Sequence, residues 1–493
     1  MLLKVKSLKL STAKPVAILH SKTAKALSVY VGERVRIKNK HCLVAIVDIV
    51  KGGLIKENEI ALSTEVFDSL KLFEGYAVEV YPEPPPKSTS YILEKLNGKS
   101  LDYKKLFSIV GDIVNNTLTE AEVAYFVSGV YVNGMLDNEI ADLIMAMVYF
   151  GKELKINNNL IYDKHSIGGI AGNRTTPIIV SICSAAGITI PKTSSRAITS
   201  AAGTADVIET LAKVEFSIDE IKKILNKTNA CMVWGGALGL APADDKIIQV
   251  ERLISLDPEA QLIASILAKK LAIKAKGILL DIPYGNSAKV KAKEDAERLG
   301  KRFKRIAGIL KLNLQYALTE GSEPVGNGIG PVLEMRDVVS VLERKSSRPL
   351  DLEDKSLYLS SLILEMAGKA KKGQGMKIAK EVLDSGKAFQ KFKQIITAQG
   401  GKLKDLDKSL SLAKFLFTFK TKKHLIIKEI DNKKISAVAR AAGCPSDKRA
   451  GLCLHSHIKN ILEKGSPLLT IYAETKEKLN FAKEVYERLM PIK

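Results

Sequence analysis

Four of the eight residues from Tyr81 to Ser88, YPEPPPKS, are proline. Each removes a backbone donor and fixes φ, so the stretch cannot be a helix interior or a central strand. It reads as a stiff extended linker and divides the chain into parts that fold by different patterns.

Before the linker the pattern has period two. MLLKVKSLKL alternates as a strand does and lacks the apolar centre of a signal peptide. LSVYVGERVRI (Leu27 to Ile37) and LKLFEGYAVEV (Leu70 to Val80) match position by position at a spacing of 43 residues. Each copy has an apolar approach, a turn glycine (Gly32, Gly75) and an alternating strand, so the duplication predicts a small pseudo-symmetric β-barrel.

After the linker the period becomes helical. Thr119-x-x-Glu122 is a capping-box sequence, and DNEIADLIMAMVYFG (Asp137 to Gly151) is a helix with a glycine stop. Beyond Asn159 the short apolar strands LIYD, ITIP and KGILLDI precede glycine- or serine-rich turns and then helices. That alternation predicts an α/β fold with a parallel sheet. Further helices are expected from Glu294 to Gly400, then a β-containing tail with SPLLTIYAE, giving a C-terminal α+β lobe.

A chain of 493 residues with 46% hydrophobic content buries sizeable cores and divides into about three domains by size. Lysines interrupt every apolar run, so no spanning helix is expected, and the chain reads as cytoplasmic. Cys42, Cys183, Cys231, Cys444 and Cys453 form no CxxC pair, which argues against a zinc site or a disulfide framework. The net charge of +22 calls for anionic partners or substrates. Nucleic acid is not the expected partner: no recognition-helix motif is present and aromatic content is only 6%, too little for interleaved base stacking.

Two glycine- and hydroxyl-rich stretches carry the chemistry. LIYDKHSIGGIAGNRTT (Leu160 to Thr176) runs from a strand through Gly168, Gly169 and Gly172 into a helix. Its backbone N–H groups and helix N-terminus suit an anion, with Lys164 and Ser166 as further donors. It matches neither a Walker loop nor a dinucleotide fingerprint, and taken alone it reads equally well as an ordinary tight loop. KTSSRAITSAAGTAD (Lys192 to Asp206) repeats the layout one unit later. Helix capping needs one hydroxyl, whereas Ser194, Ser195, Thr199, Ser200 and Thr204 are available beside Arg196. On neighbouring parallel strands the two loops would converge at one sheet edge, where open α/β folds bind ligands.

In SLDPEAQLIASILAKK (Ser255 to Lys270), Asp257 and Pro258 suit a helix start. Asp257, Gln261, Ser265 and Lys269 form one polar stripe that faces either solvent or a polar cavity. LLDIPYGNSAKVK places Lys289 after a strand. VGNGIGP reads as a turn before a helix, and His455 and His457 lack metal-ligand company.

The order of DKHSIGG, KTSSRAITSAAGTAD, APADD, SLDPEAQLIASILAKK, GNGIGPVLEMRD and SGKAFQKF resembles the nucleoside phosphorylase family that includes thymidine phosphorylase, from about Ser90 to the C-terminus. The extra N-terminal part is similar to the archaeal type within it. The resemblance implies an α/β multi-domain, nucleoside phosphorylase II-like fold: a barrel at 1–85, a discontinuous helical domain at 86–158 plus 242–274, an α/β domain at 159–241 plus 275–410, and a C-terminal lobe at 411–493. A cleft closing by a hinge between the helical and α/β domains is part of that expectation.

It also implies phosphorolysis of a nucleoside 5′-monophosphate, AMP and also CMP and UMP, to free base and ribose 1,5-bisphosphate. No metal or organic cofactor is required, inorganic phosphate being a co-substrate. Lys164, Ser166, Gly169, Thr204 and the loop Ser195, Arg196, Ala197, Ile198, Thr199 and Ser200 would hold phosphate groups. Ser265 and Lys289 would contact the nucleotide, and Asp257 would protonate the departing base once closure desolvates it. A homodimer or larger homo-oligomer is implied.

Three departures bear on substrate. Val250 stands where pyrimidine-nucleoside enzymes carry a base-binding arginine, Asn286 and Ser287 stand where a more lysine- and glycine-rich loop is expected, and Arg174 replaces a common lysine. The competing readings are a pyrimidine nucleoside phosphorylase and a non-catalytic RNA-binding protein.

Overall fold

The computed structural model describes residues 1–12, 14–156, 160–197, 200–403 and 406–493. They form two compact units, one of residues 1–151 and 241–268, the other of residues 152–240 and 269–493.

The first unit opens with a closed six-stranded barrel: β1 (Leu2–Ser7), β2 (Val16–His20), β3 (Arg34–Lys38), β4 (Cys42–Val50), β5 (Glu59–Leu62) and β6 (Ala77–Glu83), in the order β1-β5-β2-β4-β3-β6. The duplication in the sequence is a duplication in space. β1 pairs parallel to β5 as β4 does to β2, and β1 pairs antiparallel to β6 as β4 does to β3. In each half a short helix, Ser21–Leu27 or Thr64–Leu70, ends in a left-handed residue, Ser28 or Lys71, and Gly32 or Gly75 turns the chain at φ +85° into the last strand. Val35, Ile37, Val47, Ile60, Leu62 and Val80 fill the interior.

β6 extends into the proline stretch. Its ladder with β1 stops at Glu79, and beyond it Tyr81, Pro82 and Glu83 pair with β3 alone, so Pro82 stands where a missing ladder donor is tolerated. The connector is therefore shorter than the sequence suggests.

Helices Ser88–Leu96, Tyr103–Val114, Glu120–Asn133 and Asp137–Tyr149 follow. The capping box at Thr119 and Glu122 is formed in both directions, a device that stabilises a helix by about 1 kcal/mol. Glu122 also takes the buried Arg34 guanidinium, whose Nε donates to the Thr117 carbonyl at 2.7 Å, fastening the barrel to this helix start. The later helix Pro242–Ile254 packs against Tyr103–Val114 and Glu120–Asn133. Its Lys246 ammonium caps Tyr103–Val114 by donating to the Ile113 and Val114 carbonyls at 3.1 and 2.7 Å.

The second unit is built on parallel strands: β7 (Tyr162–Ser166), β8 (Ile190–Ser194), β9 (Ala230–Trp234), β10 (Gly277–Tyr284) and β11 (Asn313–Glu320). The ladders β11-β10-β7 and β8-β9 are joined by one parallel bridge, Ile161 to Thr189. β9 and β11 were not expected from the sequence, β11 lying in a stretch assigned to helices. NLQYALTE has little β-branched character, and pairing along the whole of β10 overrides its propensity. The helix that follows the serine-rich loop is short, spanning only Thr204–Ile208.

The C-terminal part adds β12 (Gly328–Ile329), β13 (Phe415–Lys420), β14 (Leu425–Ile426), β15 (Gly451–Leu454), β16 (Ile461–Leu462) and β17 (Pro467–Ala473). These form a four-stranded sheet, β12-β15-β17-β13, and a β14-β16 pair. Among the described residues no helix is long and apolar enough to cross a membrane, and no group of three or more His, Cys, Asp or Glu side chains could hold a metal ion.

Candidate active site

In the second unit the segments after β7, β8 and β10 contribute to one edge of the parallel strands. Gly168 and Gly169 turn the chain at φ +87° and +89°. A Cβ on Gly169 would lie 2.6 Å from the Lys289 backbone nitrogen, so the β7 loop touches the β10 loop through bare backbone. The sequence candidates Gly169 and Lys289 are thus brought together.

The helix Thr175–Ala185 starts after Arg174, whose side chain crosses to the β8 loop. It donates to Thr204 Oγ1 at 2.8 Å and to the Ala202 carbonyl at 3.1 Å, and its Nε pairs with buried Glu334. Burial pushes the Glu334 carboxyl up to about 7, against the pull of Arg174. Glu334 belongs to GNGIGPVLEMRD, where the sequence showed only a turn and a helix; VGNGIGP supplies both β12 and the turn.

The β8 loop is folded onto Asp206, whose Oδ2 accepts the Ala197 and Gly203 N–H groups at 2.7 and 2.8 Å. A Cβ on Gly203 would meet the Arg196 carbonyl carbon at 2.6 Å, so only glycine closes this loop. Ser195 is exposed, Thr204 is half-buried, and Ser200 Oγ donates to the Ala202 carbonyl at 3.1 Å. Ile198 and Thr199 lie outside the described residues. Arg196, expected among the phosphate-holding residues, makes two 2.8 Å bonds to Glu209, a 2.9 Å bond to Glu215, and stacks over Trp234. Those bonds hold Glu209 down at about 2. The guanidinium organises the loop, because three carboxylates already surround it.

Below the loops lies a buried charged cluster that the sequence did not show. Asp163 accepts from Lys270 Nζ at 2.6 Å and pairs with Lys192 at 3.6 Å, while Asp281 pairs with Lys164 at 3.4 Å and Lys355 at 4.0 Å. Asp281 also accepts from Thr319 at 2.6 Å, and Lys164 donates to Thr175 Oγ1 at 3.1 Å. Burial pushes the Lys192 ammonium down to about 7 and lowers Lys164 and Lys355, with Asp281 opposing the last two shifts. Burial favours neutral Asp163 and Asp281, but the lysines hold both below the usual carboxylate range. The Ser166 hydroxyl is buried beside this cluster. Four lysines surround two carboxylates, and although Lys192 gives up its charge as pH rises past about 7, the remaining lysines leave the floor of the loops electropositive, which favours an anion above it.

In the first unit Asp257 is exposed ahead of the helix Glu259–Ala272. The polar stripe reads differently at each turn: Gln261 is buried, and Ser265 donates to Asp244 Oδ2 of the APADD motif at 2.9 Å. Val250 is buried within its helix. His457 bridges Glu323 and Asn327 at 3.0 and 2.9 Å, a structural role, and His455 meets Thr470 at 2.8 Å. The sequence missed Glu334, Asp281 and Asn432, whose partners lie far away in the chain.

Parallel strands with glycine- and hydroxyl-rich loops over a basic floor define an α/β fold whose sheet edge suits an anion. Family models agree: the glycosyl transferase family a/b domain matches residues 158–389, its helical bundle domain 89–151, and the pyrimidine nucleoside phosphorylase C-terminal domain 426–493. The chain is a glycosyltransferase of the pentosyl-transferring class. An AMP phosphorylase from Thermococcus sibiricus is 42% identical over 492 residues, covering 99% of this chain and 97% of the relative. A Legionella pneumophila relative, provisionally designated a thymidine phosphorylase, is 41% identical over 90% of this chain and 85% of its own length. The solved anthranilate phosphoribosyltransferase of Thermus thermophilus shares the fold at a TM-score of 0.54 and 16% identity, over 63% of this chain and 99% of that one. The chain belongs to the AMP phosphorylase family.

Proposed function

We propose that this chain cleaves nucleoside 5′-monophosphates, AMP first among them, with inorganic phosphate, releasing the base and ribose 1,5-bisphosphate. The observation that carries this reading is the pair of glycine- and hydroxyl-rich loops tied together by Arg174 over the four-lysine cluster. Two anions, the attacking phosphate and the nucleotide's own, repel each other, and an excess of positive charge offsets that repulsion.

A phosphate oxygen bonds to C1′ as the glycosidic bond to the base breaks. Positive charge grows on the sugar and negative charge on the leaving base. Backbone N–H groups around Gly169, with Ser195 and Thr204, hold the phosphates, and Ser200 joins them by turning its hydroxyl from the Ala202 carbonyl. Lys289 and Ser265 contact the nucleotide, and Asp257 gives its proton to the base. The buried Lys164 acts through the electrostatic floor and through Thr175. Phosphate is the co-substrate, and the chain's own donors supply the remaining chemistry. Assembly into a homodimer or larger oligomer belongs to the same reading.

The alternative is action on pyrimidine nucleosides, motivated by the Legionella relative's designation. Val250, buried at the position of the base-binding arginine, argues against it. Incubation with AMP, CMP, UMP and thymidine, with and without phosphate, followed by assay of free base, separates the two. Phosphate-dependent release from AMP supports the proposal, and release from thymidine alone rejects it.

A further inference from the structure

We infer that Asn432 is a positioning residue for anion binding, fixing the β7 loop to the β10 loop from the C-terminal lobe; this rests on the reading that these loops hold phosphate and nucleotide.

Asn432 is the first residue of the helix Asn432–Ala441, yet it does not cap that helix. Asp431 does so by accepting the Lys433 and Lys434 N–H groups. The Asn432 amide is instead directed away from the helix end, at 1% exposure, into the junction of three loops. Its Oδ1 accepts the Ala171 N–H at 2.9 Å, and its Nδ2 donates to Ser287 Oγ at 2.9 Å and to the Gly321 carbonyl at 3.1 Å. A main-chain N–H on one side and a main-chain carbonyl on the other leave one orientation of the amide. Ser287 passes the tie onward by donating to the Ser322 carbonyl at 3.3 Å.

These bonds join segments at the ends of three neighbouring strands. Ala171 lies between Gly169 and Arg174, Ser287 lies two residues before Lys289, and Gly321 directly follows β11. The Gly169 contact with the Lys289 backbone leaves almost no space, so it persists only while both loops are held from behind. Asn432 and Ser287 supply that hold through a buried network in which both amide atoms of Asn432 are paired, the kind that fixes geometry. Ser287, a departure from the lysine- and glycine-rich loop expected here, is therefore the acceptor that Asn432 requires. Aspartate at position 432 would keep the bond from Ala171 and set a carboxylate against the Gly321 carbonyl.

The test compares the full-length wild type with Asn432→Ala, Asn432→Asp and Ser287→Ala. It measures inorganic phosphate binding by titration calorimetry, KM for phosphate and for AMP, kcat, and the thermal midpoint. Expected are a tenfold or greater weakening of phosphate binding in both Asn432 variants and about threefold in Ser287→Ala. KM for phosphate should rise more than KM for AMP, and Asn432→Ala/Ser287→Ala should match Asn432→Ala within twofold because the two act as one unit. Unchanged phosphate affinity in a folded Asn432 variant overturns the inference, as does multiplication of the single effects in the double variant. If neither Asn432 variant folds, Ser287→Ala decides by the same split. A wild type that binds phosphate but releases no base removes the proposed reaction and leaves this inference to be judged on calorimetry, whereas an active wild type with indifferent Asn432 variants does the reverse.

Discussion

Arg174 reaches across from the end of one anion-suited loop and donates to Thr204 Oγ1 of the other at 2.8 Å, while Glu334 anchors its Nε from below. The hydroxyl is thereby turned so that its lone pair faces the guanidinium and its proton is left for a ligand. Arg174→Met should destabilise the fold by about 3 kcal/mol above pH 7, where it leaves the Glu334 carboxylate buried and uncompensated. Below pH 7 the cost should shrink, because burial holds the Glu334 proton up to about 7. Arg174→Lys retains one ion pair and should cost about 1 kcal/mol. Denaturant unfolding at pH 6 and pH 8 measures both, and a loss independent of pH would contradict the assignment.

Gly169→Ala places a methyl against the Lys289 backbone and forces a side chain into the left-handed region, at a cost of about 1 to 2 kcal/mol. Stability should change modestly and KM for phosphate by tenfold or more. Equal loss in every kinetic parameter, tracking the unfolded fraction, would place Gly169 outside the site.

Asp257→Asn removes the proposed acid without changing side-chain shape. General acid catalysis contributes about 10²- to 10⁴-fold, so kcat should fall by about that factor while AMP still binds. The limb of the pH–rate profile that reports the acid should vanish with it. Unchanged turnover would assign proton transfer elsewhere.

Lys192 gives a signature in stability. Burial lowers its ammonium to about 7, whereas the unfolded chain retains that proton to about pH 10. Between those values the unfolded state binds more protons, so stability should rise with pH. Lys192→Met should flatten that rise, as read from unfolding midpoints at pH 7, 8 and 9. Parallel profiles for the two proteins would show that folded Lys192 keeps its proton across this range, as the unfolded chain does.

What could be read from the chain follows the range of the interactions. The barrel was legible because Gly32 and Gly75 mark two local copies of one unit, and the Thr119–Glu122 box because its partners are three residues apart. The glycine and hydroxyl loops were legible as small residues where bulk is expected. Asn432 was not, since its acceptor and donor partners lie 261, 145 and 111 residues away and a lone asparagine near a helix start has an ordinary explanation. The carboxylate partners of Arg196 were hidden for a related reason. Its local company of hydroxyls suggested an anion, whereas Glu209, just past the helix Thr204–Ile208, and Glu215 beyond it fold back onto it. The lysine floor was hidden likewise, because Lys164, Lys192, Lys270 and Lys355 sit on four separate elements.

The strand β12 comes from the middle of the chain, yet it forms the edge of the sheet made by β13, β15 and β17, and Ala171 and Ala201 pack into the same apolar core. The last eighty residues or so are therefore not an appendage that can be cut away. Removing them would strip one side from both anion loops and expose an unpaired strand edge, and the excised lobe would lack its own border strand. Fusion partners and tags are better carried at the barrel end, because here the C-terminal elements and the two glycine- and hydroxyl-rich loops share a single core.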